Sequence, residues 1–206
     1  MQKTKLKILR TTIELFNKHG FANVSLPQIA GKLNISLGNL TYHYPKKDQL
    51  IMSIYEVFLE DLKSITKVFQ NFEDLKEMDL QLRAFYQFQQ VYRFFYLDLL
   101  ELGRAYPVLA KRHEKHIEEQ IEGLYEYFLF NISIGTIANH SPKTYHALAK
   151  QLWMTVVFWS TQLAIRGVTS TEKEMVETAW LLLQPYLTPK GKLQLTKLEL
   201  SLAENN

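Results

Sequence analysis

Apolar residues in this sequence recur at steps of three and four, and that period decides the fold class. Between Leu82 and Leu102 the residues Phe85, Phe88, Tyr92, Phe95, Leu99 and Leu102 fall on one helical stripe. Phe94, Tyr96 and Leu97 make the middle of that segment apolar on a second side, which predicts a helix central to a bundle. The turn chemistry elsewhere belongs to helix ends, and there is no hairpin signal and no internal repeat. A helix from about Lys5 to His19, with Leu6, Leu9, Ile13 and Phe16 on one stripe, stops at Gly20, where a left-handed residue belongs. A long helix follows from about 47 to 69, amphipathic through Leu50, Ile54, Val57, Phe58, Leu62, Ile65 and Phe69. Pro107 opens another, charged at first (KRHEKHIEEQIE) and then apolar; 135–141 is a loop.

Two more helices are expected at about 142–166 and 171–187, the second opened by the capping box Thr171-Glu172-Lys173-Glu174. In the first, Leu148, Leu152, Trp153, Val156, Val157, Phe158, Trp159, Leu163 and Ile165 surround the axis. So much apolar circumference is explained by contact with a second subunit, or by a helix central to the chain's own core. The tail 189–206 carries scattered leucines with no assignable pattern.

The 206 residues contain no cysteine, which excludes disulfides and thiolate metal sites and fits a reducing, cytoplasmic compartment. The basic start MQKTKLKILR runs into Thr11, Thr12 and Glu14, so no signal peptide is expected. The uncharged run from Gln151 to Ile165 is shorter than the roughly 20 residues a membrane span needs, so no membrane partner is expected. Charge is unevenly spread. Residues 1–50 carry eight Lys and Arg against Glu14 and Asp48, whereas the other 156 residues carry 16 basic and 19 acidic groups. The first quarter has the electrostatics of a polyanion-binding module.

Within that quarter, Ser25-Leu26-Pro27-Gln28 has capping-box spacing and opens a helix ending near Leu33-Asn34. Ser36 caps the next, which ends near Tyr44 because Pro45 disfavours helical geometry in the residue before it. Three short helices in about 40 residues, the last two joined by the tight turn Leu33-Asn34-Ile35-Ser36, make a helix-turn-helix arrangement, whose third helix can enter a DNA major groove. Leu40 points inward, leaving Leu37, Gly38, Asn39 and Thr41 near the outer face. Asparagine and threonine suit base edges and thymine methyls; Tyr42, His43, Lys46 and Lys47 suit phosphate oxygens. Lys47 also begins a helix, whose free amides favour an anion. A glycine at 38 weakens a helix by roughly 1 kcal/mol relative to alanine, which makes sense if the backbone approaches another surface.

The run SLPQIAGKLNISLGNLTYHYPKKDQL resembles the DNA-binding module of the TetR family of bacterial transcriptional regulators, in residue order and spacing, over about residues 5–58. Thr41 stands where an aromatic is usual and Tyr44 replaces the usual phenylalanine. The resemblance implies base-reading positions at Leu37, Gly38 and Asn39 and phosphate contacts at Ser25, Ser36, Tyr42, His43 and Lys47. It implies an all-α chain: a three-helix helix-turn-helix DNA-binding domain (1–46) joined by a long helix (about 47–69) to a larger helical bundle (47–206) for ligand binding and dimerisation. The partners it implies are a double-stranded DNA operator and a second copy, met through the helices at about 142–166 and 171–187.

It further implies a small apolar or amphiphilic effector, for which Phe88, Tyr92, Phe95 and Tyr96, with Arg93 and Asp98 among them, are candidate lining; core packing explains the same aromatics equally well. His113-Glu114-Lys115-His116 is not the zinc pattern H-E-x-x-H and is expected to be a solvated charged face. No Walker loop, Rossmann fingerprint or nucleophile elbow occurs, and no cofactor, metal or catalytic residue is assigned. The expected function is a sequence-specific transcriptional regulator, a repressor released from a palindromic operator by its effector. The alternatives are an architectural nucleic-acid binder without an effector, and a helical interaction protein or enzyme with a vestigial DNA-binding module.

Overall fold

The computed structural model describes residues 2–66 and 75–203; the end of the predicted 47–69 helix, including Phe69, lies outside the described residues. Helices α1 (Gln2–His19), α2 (Leu26–Leu33), α3 (Leu37–His43) and α4 (Lys47–Thr66) come first. They are followed by α5 (Leu75–Val91), α6 (Arg93–Leu97), α7 (Leu99–Ala105) and α8 (Pro107–Ser133). The chain closes with α9 (Pro142–Val157), α10 (Trp159–Ile165), α11 (Glu172–Leu183), a 3-10 turn and α12 (Pro189–Ala203). Among the described residues no helix is long and apolar enough to cross a membrane. The residues group into two compact units, one of Met1–Lys63 with Phe88–His113, the other of Ser64–Gln87 with Glu114–Asn206.

In the first unit the buried side of α1 runs through Ile8, Thr12 and Phe16, with Leu9 and Ile13 beside them. That direction turns Leu6 outward, against its place in the predicted stripe. Gly20 ends α1 with φ of 76°, and Asn34 ends α2 with φ of 55°, a left-handed conformation that asparagine tolerates better than most side chains.

The predicted single helix over 82–102 is three helices. It is broken at Tyr92 (φ −108°, ψ 34°) and Asp98 (φ −104°, ψ 13°), neither of them a glycine or proline. At the first break the Asn17 side chain takes the freed backbone groups: its Nδ2 donates to Val91 O at 2.8 Å and its Oδ1 accepts from Phe94 N at 2.9 Å. The predicted 142–166 helix is likewise interrupted, at Phe158 (φ −92°, ψ 5°).

The second unit packs Leu82 and Tyr86 of α5 against Phe128 of α8, Leu152 of α9 and Val176 and Trp180 of α11. The Trp180 indole donates to Asp79 at 2.9 Å, and Asp79 and Glu172 share the Arg83 guanidinium at 2.6 and 3.1 Å. Four leucines of the tail find their pattern here: α12 buries Leu195 and Leu198 in this core and exposes Leu193 and Leu200. α12 starts so close to the 135–138 loop that a Cβ on Gly191 would overlap the Thr136 carbonyl oxygen.

Candidate nucleic-acid interface

Helices α2 and α3 each open on a serine held by hydrogen bonds to the first turn. Gln28 Oε1 accepts from the Ser25 amide at 2.7 Å and from its hydroxyl at 2.9 Å, closing the start of α2. Ser36 Oγ accepts from Asn39 N at 3.1 Å at the start of α3. The underside of α3 is fixed by Leu40, which is 0% exposed, and by the buried Tyr44 just beyond it. The opposite side has no such cover. Leu37 is 44% and Tyr42 76% exposed, and Gly38, Asn39, Ser36 and Ser25 are exposed beside them. A Cβ added to Gly38 would meet only Ser36 Oγ, at 3.9 Å, so nothing inside the fold demands glycine there.

The polar groups of this surface differ in what they have left to offer. The Asn39 side-chain amide makes no hydrogen bond among the described residues, so both its donor and its acceptor are open. Thr41 is half-buried and its hydroxyl donates back to Leu37 O (3.0 Å) or Gly38 O (3.2 Å). The ring of Tyr42 meets that of the half-buried His43 edge-on at 5.3 Å. Lys46 is exposed, as are Lys3, Lys5, Lys7, Lys18 and Lys32, and none enters an ion pair among the described residues. Lys47 is turned inward: its ammonium donates to Phe21 O at 2.5 Å and lies 5.6 and 5.5 Å from the centres of the Phe16 and Phe21 rings. Burial pulls its pKa below the ordinary lysine value, against a smaller opposing pull from Glu101.

The aromatics expected to line an effector cavity are brought together in the first unit. Phe88, Tyr92, Phe95 and Tyr96 pack with Tyr55, Phe58 and His113, with ring centres 4.4 Å apart for Phe58 and Phe95 and 4.9 Å for Phe88 and Tyr92. The cavity beside them, lined by Phe16, Ile51, Tyr55, Phe94, Phe95 and Leu109 among others, has a volume of about 10 Å³, room for one water. The Tyr92 hydroxyl donates to Asp61 at 2.6 Å; burial first, and the Asp61 carboxylate second, push its pKa well up. Arg93 is exposed, and Asp98 accepts from Phe21 N at 3.1 Å.

His113 corrects the solvated-face expectation. It is 7% exposed, and its Nδ1 lies 3.3 Å from the Tyr55 hydroxyl. The signal was the buried Leu109 four residues earlier on the same helical face, which the surrounding charges mask.

Two family models match the chain: bacterial regulatory proteins of the tetR family over residues 8–54, and the TetR bacterial transcriptional repressor over residues 55–195. Among curated relatives, 130 residues are 28% identical to the uncharacterized HTH-type transcriptional regulator YerO of Bacillus subtilis, covering 52% of this chain and 45% of that protein. Another 101-residue match is 30% identical to the HTH-type transcriptional regulator RutR of Escherichia coli K12, covering 47% and 48%. The chain thus spans about half the length of the curated relatives it matches. A crystal structure of a TetR-family regulator from Marinobacter aquaeolei VT8 superimposes with a TM-score of 0.87 at 26% identity, covering 95% of this chain and 97% of that one. The chain belongs to the TetR family of bacterial transcriptional regulators.

Proposed function

We propose that this chain is a homodimeric transcriptional repressor that reads a palindromic DNA operator with α3 and leaves it when a small effector binds. The observation that carries the reading is the two-sidedness of α3. Leu40 anchors it from below while Leu37, Gly38, Asn39 and Tyr42 stay uncovered above, and Lys46, just past its end, is exposed and enters no ion pair among the described residues. Asn39 suits an adenine edge; Ser25, Ser36, Tyr42, His43 and Lys46 suit phosphates. Lys47 acts at one remove, by fixing the Phe21 carbonyl.

Dimerisation is supported by the apolar side chains that α9, α10 and α11 leave outside: Met154, Phe158, Ile165 at 85% exposure and Leu181. Two-fold symmetry would place two copies of α3 in major grooves about one helical turn, roughly 34 Å, apart or somewhat more. An apolar or amphiphilic effector would enter among Phe88, Tyr92, Phe95 and Tyr96, and since those rings are close-packed it would have to part them. A differential affinity of roughly 1–3 kcal/mol changes operator occupancy 5- to 150-fold.

The test is stoichiometry and salt dependence on duplexes recovered from a random pool. Two chains per palindrome, with affinity falling steeply as salt rises, is the expected result. A monomer indifferent to every duplex at low salt contradicts the reading.

A further inference from the structure

The corner between α1 and α2 is joined to the segment 92–98 by paired polar contacts. The break at Tyr92 leaves the Val91 carbonyl and the Phe94 amide without their helical partners, and Asn17 bonds to both at once, at 2.8 and 2.9 Å. A carboxamide presents a donor and an acceptor side by side; neither a carboxylate nor an alkyl group repeats that pair. The Phe94 ring also meets Phe16 edge-on, with ring centres 5.2 Å apart. The break at Asp98, at the other end of α6, supplies the second contact. Its carboxylate accepts from Phe21 N at 3.1 Å, while the carbonyl of the same Phe21 accepts from Lys47 at 2.5 Å. Both ends of α6 are therefore fastened to the end of α1 and the turn after it.

The geometry points to Asn17 and Asp98 as positioning residues that hold the three-helix module in one attitude against α6, so that they set which half-site spacing the dimer accepts. This rests on the operator-binding reading given above. Neither residue is part of the DNA-facing surface: the polar atoms of the Asn17 amide are engaged by backbone and Asp98 serves the Phe21 amide. With both contacts removed, the module would keep its covalent link to α4, the Lys47–Phe21 hydrogen bond and apolar packing, but no polar tie to either end of α6 through Asn17 or Asp98. It would then swivel more freely and adapt to spacings the native chain rejects.

The experiment uses the full chain and the palindrome it selects, together with versions carrying one or two base pairs added or removed at the centre, and a single half-site duplex. The native chain is expected to discriminate sharply between spacings. Asn17→Ala combined with Asp98→Ala is expected to narrow that discrimination about 5- to 150-fold, with half-site affinity and half-site base preference unchanged. Asp98→Asn, which keeps an oxygen acceptor for Phe21 N, should retain native discrimination. A double variant that binds the half-site normally and still rejects wrong spacings overturns the inference. Loss of half-site binding also overturns it, because the contacts would then hold the module's fold and not its attitude. Failure of the native chain to bind any palindrome would instead overturn the operator-binding reading, and this inference with it.

Discussion

Replacing Gly38 by alanine separates what the fold requires from what the proposed interface requires. Gly38 is the second residue of α3, its φ is not positive, and an added Cβ would meet only Ser36 Oγ at 3.9 Å. Gly38→Ala should therefore stabilise the free protein by about 0.4–1 kcal/mol, chiefly by restricting the unfolded chain. For a chain of this size that raises Tm by about 1–4 °C. The same methyl would stand on the face assigned to DNA, where a displaced α3 loses base contacts. A loss comparable to a mismatched base pair, about 1–3 kcal/mol in each half-site, is the expected scale. Gly123→Ala is the control: Gly123 lies inside α8 with nothing within 4 Å of an added Cβ, so it should raise stability by about 1 kcal/mol and leave DNA affinity alone. Thermal melts and fluorescence anisotropy on the selected duplex report both quantities. If Gly38→Ala binds that duplex as tightly as the native chain, glycine at 38 does not serve close approach and the reasoning fails.

Lys46→Ala should reduce the slope of log affinity against log salt by about 0.9, whereas Lys47→Ala should chiefly lower the melting temperature, because its ammonium serves Phe21 O and two rings; anisotropy at graded salt and calorimetry distinguish them. Gly191→Ala should destabilise the chain by about 1–3 kcal/mol, measured by urea titration, through overlap with the Thr136 carbonyl oxygen. Phe158→Asp with Ile165→Asp should yield a monomer in sedimentation, since both side chains are exposed and apolar in the single chain. The buried phenols of Tyr92 and Tyr96 have pKa values raised above the ordinary 10.0, so they stay protonated in the fold where the unfolded chain ionises. Their contribution to stability is complete below pH 10 and is lost as pH rises above it, which alkaline unfolding followed by tyrosine absorbance would show.

Local chemistry made the helix-turn-helix legible. Ser25 and Ser36 cap the helices they were expected to open, Gly20 adopts the left-handed conformation its place required, and Leu40 faces inward as the spacing demanded. The breaks at Tyr92, Asp98 and Phe158 were not legible, because no glycine or proline marks them. At Tyr92 the freed backbone groups are satisfied by Asn17, more than 70 residues away in sequence. Tertiary partners of that kind leave no local trace. Lys47 shows the same limit within the candidate site. Its position at a helix start suggested a phosphate ligand, but only the fold reveals the Phe21 carbonyl within its reach. α12 was unreadable for a different reason: Leu195 and Leu198 gain meaning only from the core that receives them.

The central claim is that α3 reads DNA through its uncovered side, and parallel selection from random duplexes by the native chain and by Asn39→Ala tests it most directly. The account predicts a two-fold symmetric motif for the native chain and relaxed preference at one position of each half-site for the variant, a loss of about 1–3 kcal/mol there. Enrichment of no symmetric motif, or of the same motif with undiminished preference by both proteins, would contradict it.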